Sequence, residues 1–161
     1  MREESFITLT QDMLRSGHSI RFRPQGRSMR PTIEDSEPVL VAPVIPSHLR
    51  IGDIILYRAK QGVIAHRVWR IKQQTASAGR IFITRGDAAL MCDAPVPETE
   101  IIGQVVAIER DGRNLPLSGW GHRLSYRAWR TASYVKEIAK CFLVFVGLRD
   151  KAGIVSTDEH G

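Results

Sequence analysis

Cysteine is scarce in this sequence. The two cysteines, Cys92 and Cys141, cannot build a disulfide framework, so nothing in the chain asks for an oxidising compartment. Neither has a second Cys or a His within a few residues, which removes the spacing of a zinc module. Long apolar runs are also missing: none approaches the roughly 20 residues that a membrane-spanning helix needs. The opening MREESFITLTQDM carries acids and lacks the apolar stretch of a secretion signal. Aromatic residues make up 7% of the chain and are not interleaved along its strands as a base-stacking platform would require. Secreted, membrane-spanning and zinc-module readings are therefore disfavoured.

What remains is the profile of one ordinary domain. The 161 residues, 43% hydrophobic and 25% charged, can bury a core but leave no room for two. With 23 basic against 17 acidic residues the formal charge is +6. That excess favours acidic or phosphate-bearing surroundings without naming a partner.

Residues 4–16 carry Phe6, Leu9, Met13 and Leu14 at helical spacing before Gly17, which predicts a short helix. Residues 19–23 alternate and are halted by Pro24, as in an edge strand. Beyond the loop at 25–32, strands are predicted over 39–44, 53–58, 63–71, 81–84 and 101–110, separated by prolines and glycines. Asp111-Gly112 reads as a two-residue hairpin turn with 114–117 returning. The expected fold is mainly β, a small irregular barrel or sandwich over 19–118, preceded by the helix of 1–18. Residues 119–150 turn helical and basic, with Arg123, Arg127 and Arg130 on one face, and 151–161 form a tail. Such a helix either lies on a membrane surface or packs its apolar stripe on the β domain.

Three segments carry the chemistry when taken together. Gly26-Arg27-Ser28-Met29-Arg30-Pro31 presents a hydroxyl on a Gly/Pro loop. Ile64-Ala65-His66-Arg67-Val68 places an imidazole in an apolar strand, the side chain suited to accept a proton near neutrality. Thr84-Arg85-Gly86-Asp87 through Cys92-Asp93 puts two carboxylates in the loop after a strand, where one can hold an imidazole tautomer. Each alone is ordinary: a turn serine, a packed histidine, turn aspartates. Met29 fills the core or touches substrate or membrane, and Cys92 is expected to serve packing rather than to act as a second nucleophile.

In order and spacing the sequence resembles type I signal peptidases, specifically the branch of archaea and the endoplasmic reticulum in which His stands for the bacterial Lys. Ser28-Met29-Arg30-Pro31, Gly52-Asp53-Ile54-Ile55-Leu56-Tyr57, His66-Arg67-Val68, Thr84-Arg85-Gly86-Asp87 with Asp93 six residues on, and Ile102-Gly103-Gln104-Val105 carry the resemblance. It spans about residues 19–110. It implies a serine endopeptidase acting on a peptide or precursor protein without metal or cofactor, with Ser28 as nucleophile and His66 as general base. Asp93 would be the orienting carboxylate, Asp87 a structural or supporting one, and the Ser28 amide one oxyanion donor.

The pattern departs from the family in three places. Gly26 stands where that branch has a Ser whose hydroxyl helps bind the oxyanion, so the donor must come from backbone or be absent. Where the family has a transmembrane anchor before the serine, the 27 residues preceding Ser28 are expected to form only a short, charged amphipathic helix, and no export signal is visible in them. The expectation is a cytoplasmic peptidase, or one peripheral at the inner membrane surface through its C-terminal helix, that trims a dedicated precursor. The self-cleaving SOS repressors of the same superfamily use a Ser–Lys pair and a DNA-binding domain, neither of which is present, and no Ala-Gly or Cys-Gly bond precedes Ser28. Two other classes compete: a weak or inactive peptide-binding module on the same fold, and, less favoured, a nucleic-acid-binding barrel.

Overall fold

The computed structural model of the protein describes residues 2–60, 62–73 and 79–117, with side chains from residue 7 onward. The expected basic helix over 119–150 and the tail lie outside the described residues. The observed elements are α1 (Arg2–Arg15), β1 (Ile20–Phe22), β2 (Val39–Ala42), β3 (Ile54–Ala59), β4 (Gly62–Gln73), β5 (Arg80–Arg85), β6 (Val96–Pro97), β7 (Ile101–Arg110) and β8 (Arg113–Pro116). Single 3-10 turns at Pro46–His48 and Glu98–Glu100 join strands. Among the described residues no helix is long and apolar enough to cross a membrane.

The fold is mainly β, one antiparallel sheet ordered β1-β2-β7-β3-β4-β5-β6, with β8 paired to β7. β3 and β8 share one edge of β7, β3 at residues 101–105 and β8 at 107–110. The expected barrel is not closed: β1 and β6 end the path without meeting. Both ends are too short to propagate pairing. β1 has three residues before Pro24, and β6 has two, one of them Pro97, which offers no ladder donor. The Asp111-Gly112 turn does close a hairpin, with both residues in the left-handed region (φ 53° and 71°) that a type I′ turn demands.

β3 explains how one sheet serves two cores. Ile54 and Leu56 point to a cluster with Met29, Ile33, Val39, Val41, Val105 and the helix residues Ile7 and Leu14. Ile55 and Tyr57 point the other way, to Leu49, Val68, Phe82 and Val96. A strand buried on both faces loses the apolar–polar alternation and reads as a continuous apolar run.

The helix corrects the expected apolar face. Its buried residues are Ile7, Thr10 and Leu14, spaced i, i+3, i+7, whereas Leu9 is 60% and Met13 43% exposed. A buried threonine interrupts the stripe that packs on the sheet, so hydropathy alone favoured the neighbouring one.

Candidate active site

Ser28 stands on the loop between β1 and β2, exposed, and its carbonyl accepts a hydrogen bond from the Ala88 amide at 2.8 Å. Met29, next in sequence, is 4% exposed, anchors this loop in the first core and also lines the adjacent cleft. His66 comes from β4 opposite Ile55 of β3, buried by its neighbours. Its Nε2 lies 2.9 Å from Ser28 Oγ. On the other side of the ring, Nδ1 lies 2.6 Å from Asp93 Oδ2. The hydroxyl, imidazole and carboxylate that the sequence places 27 and 38 residues apart therefore form one hydrogen-bonded line.

Asp93 is held by more than the histidine. Thr84 Oγ1 donates to Asp93 Oδ2 at 2.7 Å and the Tyr57 hydroxyl donates to the same oxygen at 3.2 Å. The Asp93 amide, in turn, donates to the Thr84 carbonyl at 2.9 Å. Burial alone would raise the carboxyl's pKa, but the hydrogen bonds from His66, Thr84 and Tyr57 outweigh it and hold the group below its ordinary value. Burial pushes the Tyr57 phenol upward, so it stays a protonated donor. An ionised Asp93 only accepts, which puts the imidazole proton on Nδ1 and leaves the Nε2 lone pair for the Ser28 hydroxyl.

Asp87, the other candidate carboxylate, is absent from this line. Arg67 grips it bidentately, Nε to Oδ1 at 2.8 Å and Nη2 to Oδ2 at 2.6 Å, with the side chains 4% and 3% exposed. The Thr32 hydroxyl donates to Asp87 as well, and Arg67 Nη1 donates to the Gly52 carbonyl at 2.8 Å. This cluster ties the Ser28 loop, through Thr32, to the strand that carries His66 and to the loop that carries Asp93. Asp87 is a support.

Two glycines shape the site. A Cβ on Gly86 would sit 2.6 Å from the Ser28 carbonyl oxygen, 3.0 Å from Ser28 Cβ and 3.1 Å from His66 Nε2, so only glycine lets the loop pass beside the Ser–His contact. Gly26 has φ +100°, a conformation costly for any L side chain, and its amide donates to Asp35 Oδ1 at 2.7 Å. That amide is thus committed elsewhere, while the Ser28 amide has no acceptor among the described residues.

Gly86, Thr84, Tyr57 and Arg67 lie within the sequence motifs and Thr32 directly follows one, yet none carried an expected role. The available signal was proximity, since each adjoins or lies within a motif that carries a candidate. Cys92 corrects an expectation: it is free and exposed, so it packs nothing. Among the described residues no three His, Cys, Asp or Glu side chains gather as metal ligands. No protein-family model matches the sequence, and no curated protein matches it.

Proposed function

We propose that the protein is a serine endopeptidase that cleaves a peptide bond in a precursor or leader peptide, a reading carried by the Ser28–His66–Asp93 line. A serine hydroxyl is a poor nucleophile until an adjacent base takes its proton. As Ser28 Oγ bonds to the substrate carbonyl carbon, its proton passes to His66 Nε2, and the Asp93 carboxylate stabilises the imidazolium. The Ser28 amide donates to the oxygen that becomes negative. Collapse breaks the C–N bond, and the proton on His66 goes to the departing amine. Water then attacks the ester, yields its proton to His66, and the acyl half leaves as Ser28 recovers its hydrogen. Positioned proton transfer of this kind contributes about 10²–10⁴-fold.

The motif order shared with type I signal peptidases supports the same reading, as does the cleft of about 330 Å³ beside Ser28, whose apolar lining by Val63, Ala65, Met29 and Ile33 suits small apolar side chains. A second reading, a peptide-binding module of feeble activity, is favoured by one observation: position 26 offers neither a hydroxyl nor a free amide to the oxyanion. Labelling with a fluorophosphonate and peptide hydrolysis, each compared between wild type and Ser28→Ala, separates the two. Labelling and turnover confined to the wild type support the peptidase; identical background in both proteins supports the binder.

A further inference from the structure

β4 is paired unevenly. Its residues 67–73 carry β5 on one edge, but 62–66 pair only with β3, and among the described residues no ladder partner takes the other edge. That bare stretch ends at His66, beside Ser28. Because successive strand side chains point to opposite faces, it has a different cleft on each side. On the face of Val63 and Ala65 lies the 330 Å³ cleft next to the nucleophile. On the face of Ile64 and Tyr57 lies a larger one, about 600 Å³, that reaches from Asp93 past Val96 to a rim of Arg58, Lys60 and Glu100.

The rim charges are not equivalent. Arg58 donates to Gln11 at 3.1 Å and lies 3.9 Å from Glu100, so those two offset each other. The three donors to Asp93 all converge on its Oδ2. Lys60 is exposed and has no hydrogen bond or ion pair among the described residues, which leaves its ammonium at the rim open to a ligand's carboxylate.

We infer that the larger cleft is a second specificity subsite of the proposed peptidase, one that selects a long, acidic side chain at the residue preceding the one whose carbonyl Ser28 attacks. The inference rests on the hydrolytic reading above. An extended peptide that completes the bare edge of β4 satisfies that edge's amides and carbonyls, as in other strand-addition complexes. The acyl half of the substrate takes this edge, since it stays attached through the second chemical step while the amine departs. Opposed residues on neighbouring strands share a face. The attacked residue, beside Ala65, therefore points into the small cleft, and the one before it, beside Ile64, points into the large one, where a carboxylate at the end of two or three carbons reaches toward Lys60.

The test uses acetylated decapeptides with Ala at the third and fifth positions and Ala, Leu, Glu or Lys at the fourth, with products mapped by mass spectrometry. The expected result is cleavage after the fifth residue, with Glu preferred over Lys by about 2–5-fold, the scale of an exposed ion pair. In Lys60→Glu, a change at an exposed position, the order reverses. Equal cleavage of the Glu and Lys peptides by the wild type, or an unchanged order in Lys60→Glu, overturns the subsite and leaves the peptidase standing. Failure of the wild type to cleave any peptide beyond the level of Ser28→Ala overturns both.

Discussion

His66 and Arg67 are consecutive on β4, point to opposite faces, and each meets an aspartate from the same β5–β6 loop, yet the two meetings have opposite character. Arg67 and Asp87 saturate one another: a bidentate pair, nearly excluded from solvent, with Thr32 and the Gly52 carbonyl completing the arginine's donors and the carboxylate's acceptors. Nothing there is left to react. His66 and Asp93 use only one ring nitrogen on each other and leave Nε2 to a hydroxyl at the protein surface. One pair fixes the architecture; its neighbour keeps a proton in play. The difference lies in which valences remain open, since both are acid–base contacts of similar length.

Substitutions can break that contrast. The largest effect is expected from Asp93→Asn, which keeps the shape but loses the ionised acceptor for the imidazole N–H. Peptide hydrolysis should fall on the order of 10³–10⁴-fold with the chemical denaturation midpoint little changed. Asp87→Ala should do the reverse first, removing about 3–5 kcal/mol of unfolding free energy because it strands a buried guanidinium, as measured by urea titration. If Asp87→Ala left stability intact and reduced only turnover, the contrast would be wrong.

Gly86→Ala sharpens the comparison from the loop between the two aspartates. Its methyl must displace the Ser28 carbonyl or the Ser–His contact. A shift of about 1 Å there costs on the order of 10²-fold in turnover, and the overpacking itself about 1–3 kcal/mol. Acid probes the Asp93 carboxylate directly. A carboxyl held below its ordinary value stabilises the fold above that value, near 3.8 for Asp93, and the contribution is lost as pH falls through the lower, folded-state pKa. Stability measured between pH 5 and 2 should accordingly decline less steeply in Asp93→Asn than in the wild type. The smallest effect is expected from Tyr57→Phe, which removes the longest of three donors to Asp93. Turnover should drop only a few-fold, consistent with a net hydrogen-bond contribution of about 1 kcal/mol.

The strands and the Ser28–His66–Asp93 line were legible in the sequence because each rests on a local pattern. The run 101–110 coincides with β7, and Ser28, His66 and Asp93 each sit in a motif of known order. The partition of the two aspartates was legible only through the family resemblance, since Gly-Asp in a loop carries no mark of whether an arginine 20 residues upstream will close on it. The open sheet was missed because β6 is two residues long, too short for any periodicity. The helix face was misassigned because Thr10, not an apolar residue, sits in the middle of the buried stripe.

The bare stretch of β4 has a consequence for handling the protein. Unsatisfied strand edges template association with whatever extended chain is at hand, including another molecule of the same kind. A tight-binding peptide mimic that occupies residues 62–66 should raise the melting temperature and suppress concentration-dependent clumping together, so that inhibition and shelf life improve in the same titration.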